Sequence, residues 1–284
     1  MYKSVISTFL FLLFAHASNA VLVYENTFDS SSSIDGFTKF GESFVAYSPP
    51  PLHTVAVESG QLKIETDYYQ PNGASSPPTL LGRATLILSN TSFGNGFSSI
   101  LSHSTGLISW AFNLSNQSGR FNNGFHVILA STKENPYDIE AQGYYFRGGS
   151  MVGDRMGIWR FDHGIGGGQE VLVDIPDGLG VSPETGSLKV TYNPFNNNWT
   201  LLGEISDTFV NPRLVDTKLG SATDGTYTQL STPYLGLGGK NTGVNTFDNL
   251  SVSVPDAINT GTALTLVLLL AFTCSRSIRK RAKT

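Results

Sequence analysis

Gly106-Leu107-Ile108-Ser109-Trp110-Ala111-Phe112-Asn113-Leu114 is the stretch whose reading decides the fold. Side chains alternate across a β-strand, so residues two apart share a face. Ile108, Trp110, Phe112 and Leu114 then lie on one face, and Ser109 and Asn113 point the other way. That is a strand packed on a core by one side. Helical spacing would scatter the same four groups around a cylinder.

The same period recurs outward from this strand. In G-Q-L-K-I-E-T, residues 60–66, Leu62 and Ile64 point inward. Residues 125–131 are apolar on both faces, which predicts a central strand. Further runs cover 21–28, 83–88, 143–147, 155–161 and 170–175. Residues 187–193 and 199–205 predict a hairpin over P-F-N-N-N, and 164–168 (G-I-G-G-G) predicts a turn needing positive φ. Residues 234–238 and 246–254 close the body. In the last run Phe247, Asn249, Ser251 and Ser253 alternate with Asp248, Leu250, Val252 and Val254, and the trio Leu250, Val252 and Val254 marks the core face. Proline at 49–51 and the loops at 29–36 and 71–78 interrupt the pattern. About a dozen strands, no helix and one core imply an all-β fold of two packed antiparallel sheets.

Both ends read as processing segments. Lys3, the apolar core 5–14 and the small residues Ser18-Asn19-Ala20 form a secretory signal peptide, with Ala15-His16-Ala17 as a second cleavage choice. The expected organisation is a signal peptide over 1–20, a body over 21–254 and a tail over 255–284. The body holds 12 Lys plus Arg and 21 Asp plus Glu, a net charge near −9. An acidic body argues against nucleic acid, because phosphate binding needs a basic footprint. The single cysteine, Cys274, lies in the tail, so the body has no disulfide and no thiolate chemistry.

The tail has three parts: a hinge at Val254, Pro255, Asp256 and Ala257; an apolar run at 263–274; and the cations Arg276, Arg279, Lys280, Arg281 and Lys283. The run is 12 residues long, against about 20 needed to span a bilayer as a helix. Two readings stay open. One is a weak membrane segment held by its basic end, with the body outside. The other is a processed sorting signal. A glycosylphosphatidylinositol signal is argued against, because it ends in its apolar tail.

At these residues the tail resembles the bacterial exosortase-type (PEP-CTERM) sorting domains, which place a Val-Pro-Glu-Pro-like motif before a short span and an Arg-rich end. Val254 and Pro255 match, Asp256 stands where the acid stands, and Ala257 departs from the usual residue. The resemblance implies the secretion machinery and an exosortase-type transpeptidase as partners. It also implies a cell-surface or matrix location with transient or permanent anchoring through the tail. The body resembles the concanavalin A-like lectin/glucanase jelly rolls, laminin-G-like domains included. Three stretches carry this: Gly-x-Leu-x-Ile at 60–64, Gly-Tyr-x-Phe-Arg at 143–147 with Ile-x-Arg at 158–160, and Phe-Asp-Asn-Leu-x-Val at 247–252. It implies a jelly-roll sandwich more than an activity, since the fold hosts enzymes, lectins and structural modules.

Glycosidases of that fold need two carboxylates about 5–5.5 Å or ~6.5–9.5 Å apart. Their Glu-x-Asp-x-x-Glu strand is absent here. Asp138 with Glu140, and Glu204 with Asp207, read as solvated acids. His53, His103, His126 and His163 form no metal spacing. In jelly rolls of this kind the first and last strands lie side by side and a structural calcium can sit at that seam. The resemblance makes Glu25, Asn26, Asp29 and Asp248 the candidate ligands. Flat aromatics beside amides and charges are the usual device for sugars, which nominates Trp159, Trp199, Tyr144, Tyr145, Arg147, Arg160 and Asn197. The expectation is a carbohydrate-binding or structural module, not an enzyme, with extracellular polysaccharide as the ligand; the alternative is a polysaccharide-cleaving enzyme on the same fold.

Overall fold

The strand that opened the analysis forms over Ile108–Asn116, and its face of Ile108, Trp110, Phe112 and Leu114 is fully buried. The computed structural model describes residues 20–43, 53–66, 68–69, 80–94, 96–116, 124–148, 156–175, 184–206, 208–240 and 243–255. Among these, sixteen strands follow one another: β1 (Ala20–Asn26), β2 (Thr38–Ser43), β3 (His53–Glu58), β4 (Gln61–Thr66), β5 (Tyr68–Tyr69), β6 (Leu80–Ser89), β7 (Ile108–Asn116), β8 (Gly124–Ser131), β9 (Gly143–Gly148), β10 (Met156–Phe161), β11 (Gln169–Ile175), β12 (Glu184–Asn193), β13 (Asn198–Ile205), β14 (Lys218–Thr223), β15 (Tyr234–Lys240) and β16 (Gly243–Pro255). The only helical pieces among the described residues are three short 3₁₀ turns.

The strands pair into two eight-stranded sheets. The first runs β14-β13-β12-β7-β16-β4-β3, with β1 beside β16; the second runs β11-β10-β9-β8-β15-β6-β2, with β5 beside β6. The registers are antiparallel. The chain is thus an all-β sandwich of two antiparallel sheets, as the alternation predicts, of the jelly-roll kind that the resemblance implies. One core joins the sheets. The first contributes Trp110, Phe112, Leu188, Val190 and Trp199, and the second Val127, Leu129, Tyr144, Phe146 and Leu237. Strand β8 lies between β9 and β15, the interior position that its two apolar faces predict.

The closing strand departs from strict alternation. Phe247 is buried together with Leu250, Val252 and Val254, not opposite to them. The register to β7 shifts between Asp248, opposite Asn113, and Ser251, opposite Ala111. Asn249 and Leu250 therefore face the single residue Phe112. Asn249 takes φ 51°, the left-handed region that asparagine tolerates better than most side chains. This bulge changes the phase of β16 in mid-strand and sends both halves of it into the core.

The expected C-terminal membrane segment is corrected. Among the described residues no helix is long and apolar enough to cross a membrane. The run at 263–274 is itself short of the roughly 20 residues that a spanning helix needs. It lies outside the described residues, as do Arg276, Arg279, Lys280, Arg281, Asp256, Ala257 and residues 1–19 of the expected signal peptide. Neither a transmembrane helix nor a membrane-anchored location is carried forward. Of the sorting motif, Val254 is a core residue and Pro255 ends β16.

Candidate functional site

Strand β15 reads Y-L-G-L-G-G-K in the middle of the second sheet. Leu235 and Leu237 point into the core, so Gly236 and Gly238 fall on the outer face. A floor without side chains results, and its neighbours lean across it. A Cβ on Gly236 would stand 2.5 Å from Ile87 Cδ1, and one on Gly238 would stand 2.2 Å from His126 Nε2 and 2.5 Å from Thr85 Oγ1. His126 Nε2 and Thr85 Oγ1 share a hydrogen bond of 2.8 Å, and Thr85 Oγ1 shares a second, of 2.6 Å, with the Tyr137 hydroxyl. The Arg83 guanidinium stacks 3.8 Å from the Tyr137 ring centroid. Burial pushes the Tyr137 hydroxyl up to about 12.

Beside this floor, β9 and β10 present the aromatic part of the face. Trp159 is paired directly with Tyr145, their ring centroids 6.5 Å apart. Arg147, two residues on from Tyr145, lies 5.4 Å from the Trp159 ring centroid and donates to Gln169 Oε1 at 3.1 Å. A register shift between Ile158 and Trp159 re-aims the indole where β10 meets β11. Residues Tyr137, Ala141 and Ile165 fold over the same face from the connecting loops. Trp159 is half-buried and Tyr145 is fully buried. Burial raises the Tyr145 hydroxyl to about 12, and Arg147 draws it down in part. Among the described residues Trp159 Nε1 has no hydrogen-bond partner, while the Arg147 guanidinium lies beside the Tyr145 hydroxyl.

The other sugar-binding candidates lie elsewhere. Tyr144 and Arg160 face each other on the inner side of β9 and β10. Asp224 joins them: it accepts from the Tyr144 hydroxyl at 2.7 Å and from Arg160 Nη1. Arg160 also donates to Thr226 Oγ1 at 2.7 Å and to Glu170. The Tyr144 hydroxyl in turn accepts from Tyr227 N–H at 2.9 Å. Burial, then Asp224, raises the Tyr144 hydroxyl far above its ordinary value. The Tyr227 hydroxyl donates to Asp162 at 2.6 Å and is pushed up to about 12, by burial first and Asp162 second. Trp199 is fully buried against Tyr144 and Tyr192, and its indole donates to the Asp224 carbonyl at 3.0 Å. Asn197 holds the β12–β13 turn at φ 51° and accepts from the Tyr192 hydroxyl at 2.7 Å. These groups spend their polar capacity on one another and fasten residues 224–228 to the sandwich.

The seam between the first and last strands exists, since β1 pairs with β16. Its four candidate ligands take up partners within the chain. Glu25 pairs with Arg213 at 3.3 Å. Asn26 spends its side chain on the Ser33 carbonyl and on Phe28 N–H. Asp29 accepts from Thr27 Oγ1, and Asp248 accepts from Asn249 N–H at 2.7 Å. Burial and then the charge of Asp29 raise the Asp248 carboxyl. Among the described residues no group of three or more His, Cys, Asp or Glu side chains is placed to hold a metal ion. Of the acids weighed for catalysis, Glu140 accepts from Lys133 Nζ at 2.9 Å and Asp138 accepts from Glu140 N–H at 2.8 Å. Glu204 is exposed at the end of β13, and Asp207 lies outside the described residues.

Sequence reasoning missed Thr85, Tyr137, Gly236 and Gly238. A signal was there: Gly and Leu alternate through 235–238, as apolar and polar residues do elsewhere.

No family model and no curated protein matches the chain. Solved structures do resemble it. The metal-free form of lectin I-B4 from Griffonia simplicifolia matches with TM-score 0.43 and 10% identity, over 81% of this chain and 98% of the lectin. The Lotus tetragonolobus seed lectin matches with TM-score 0.44 and 10% identity, over 83% and 99%. The CBM2 module of the evolved Dit of Lactobacillus casei BL23 phage J-1 matches with TM-score 0.43 and 11% identity, over 84% and 97%. The sandwich itself is established by the strand pairing of this chain.

Proposed function

We propose that the protein is a carbohydrate-binding module whose saccharide surface is the outer face of the second sheet at Trp159, Tyr145 and Arg147. One observation carries the reading. This face sets a half-buried indole, Trp159, 5.4 Å from the Arg147 guanidinium and leaves Trp159 Nε1 without a hydrogen-bond partner among the described residues. A buried polar group without a partner costs about 1–3 kcal/mol, a cost that a ligand hydroxyl removes on binding. An aromatic ring with hydrogen-bonding groups at its edge is the common receptor for a sugar, which has an apolar C–H face and a polar rim. Polysaccharide is the ligand class of this reading.

The test is a glycan array probed with the full chain and with Trp159→Ala and Arg147→Ala. Selective binding by the wild type that both variants lose supports the reading. Binding that neither variant changes, or no binding to any glycan, overturns it.

A further inference from the structure

On the first sheet, residues 208–217 between β13 and β14 cross the outer face as a strap. Two sheet side chains hold it. The Ser187 hydroxyl donates to the Val210 carbonyl at 3.2 Å and accepts from Val210 N–H at 2.9 Å. Lys189 Nζ donates to the Arg213 carbonyl at 3.0 Å. The strap's own turn is fixed by Asn211, whose Oδ1 accepts from Arg213 N–H at 3.1 Å. Between strap and sheet lies a cavity of about 330 Å³, lined among others by Glu25, Asn113, Phe209, Arg213 and Asn249.

The β16 bulge helps to shape this space. Asn249 takes its left-handed conformation one residue after Asp248, the partner of Asn113. Asn113 is 0% exposed, and neither its Nδ2 nor its Oδ1 has a hydrogen-bond partner among the described residues. An amide in this state is expensive to keep, and a leucine of similar shape would remove the cost.

Size and charge then restrict the partner. A water molecule takes about 30 Å³ in the liquid, so the space is about tenfold larger than one water. It falls in the ~300–1,000 Å³ range of small-ligand sites. The two charged liners, Glu25 and Arg213, pair with each other at 3.3 Å and offer no net charge to an ion. What is left is the amides of Asn113, Asn211 and Asn249 and the apolar Phe209, Val210 and Pro212. These suit a neutral ring bearing adjacent donors and acceptors.

We infer that the cavity beneath the strap binds one neutral saccharide residue, whose adjacent hydroxyls or N-acetyl group match the Asn113 amide. The ligand class leans on the saccharide reading above, but the residues are different and lie on the opposite sheet. A chain that binds at both places holds saccharide on both outer faces of the sandwich.

The experiment uses isotope-labelled full-length protein titrated with methyl glycosides of glucose, galactose and mannose and with N-acetylglucosamine. The Asn113 side-chain amide resonances and the backbone of 209–213 are followed by NMR. At least one sugar is expected to give a saturable shift there. Asn113→Leu should weaken that binding about tenfold or more, while melting no lower than the wild type. Phe209→Ala, at a half-buried strap residue that lines the cavity, supplies a second variant if Asn113→Leu does not fold. Trp159→Ala should leave this titration unchanged. If no sugar shifts the Asn113 amide, or if Asn113→Leu and Phe209→Ala both titrate like the wild type, the cavity holds water only and the inference is overturned. Loss of all array binding in Trp159→Ala with the Asn113 shifts intact supports both sites. Array binding unchanged in Trp159→Ala but lost in Asn113→Leu sinks the sheet-face reading and leaves this one standing.

Discussion

His126 Nε2 and Thr85 Oγ1 lie 2.8 Å apart although a whole strand, β15, runs between their own strands. They meet because Gly238, the β15 residue beneath them, has no side chain. The bond ties β6 to β8 over the top of their shared neighbour, and Tyr137 extends it into the covering loop. Gly238→Ala places a methyl group 2.2 Å from the imidazole. It should cost about 1–3 kcal/mol, as overpacking in a tight interior does. Urea unfolding should show a lower midpoint with an unchanged slope. In a His126→Ala background the same glycine change should cost less, because the nearer of the two clashing groups is gone and only Thr85 Oγ1 remains.

Trp159 and Trp199 should behave as opposites. Trp199 is fully buried and hydrogen-bonded to the Asp224 carbonyl at 3.0 Å. Trp199→Ala should lose about 3–5 kcal/mol of stability, read by chemical denaturation. Trp159→Ala should lose saccharide binding at a much smaller cost in stability. A Trp159→Ala protein that unfolds as readily as Trp199→Ala would make the outer indole a packing residue.

Asp224 holds two groups, Arg160 and the Tyr144 hydroxyl, at one carboxylate. The Arg160–Asp224 pair has side chains 20% and 9% exposed, and the Tyr144 hydroxyl donates to the same carboxylate. Asp224→Ala should therefore cost about 1–3 kcal/mol, because the Tyr144 hydroxyl loses its acceptor while Arg160 keeps Glu170. A double-mutant cycle of Asp224→Ala with Arg160→Met measures the share of that loss that belongs to the ion pair.

The Asp248 carboxyl gives stability a pH dependence with a definite sign. Burial first, and the nearby charge of Asp29 second, raise it above 3.8. The native state then binds this proton more readily than the unfolded chain does. Ionised Asp248 therefore opposes folding at pH above its native pKa, and the opposition fades as the pH falls through that value toward 3.8. Asp248→Asn keeps an oxygen for Asn249 N–H, so it should be more stable than the wild type near neutral pH. The two should converge in acid. Paired thermal melts across that range check this, and a gap that widens in acid would reverse the sign.

What the sequence determined by itself is local. Period-two alternation placed Ile108, Trp110, Phe112 and Leu114 in the core, and Leu62 and Ile64 with them, because a strand's faces depend only on neighbours along the chain. The turns at Asn197 and Gly164 were legible for the same reason, since left-handed backbone needs particular residues at particular places. Parity was harder where both faces carry aromatics. Tyr144 and Tyr145 are equivalent in sequence, and only the packing of β9 against the core sends one inward and the other onto the outer face. The bulge at Asn249 was hidden too, because nothing local in Phe-Asp-Asn-Leu states that two residues will oppose one on β7. Tertiary structure alone decided the rest. Thr85 reaches His126 across 41 residues of chain, and the strap at 208–217 encloses Asn113 from about a hundred residues away. Such contacts depend on strand order and loop closure, which summed local preferences do not encode.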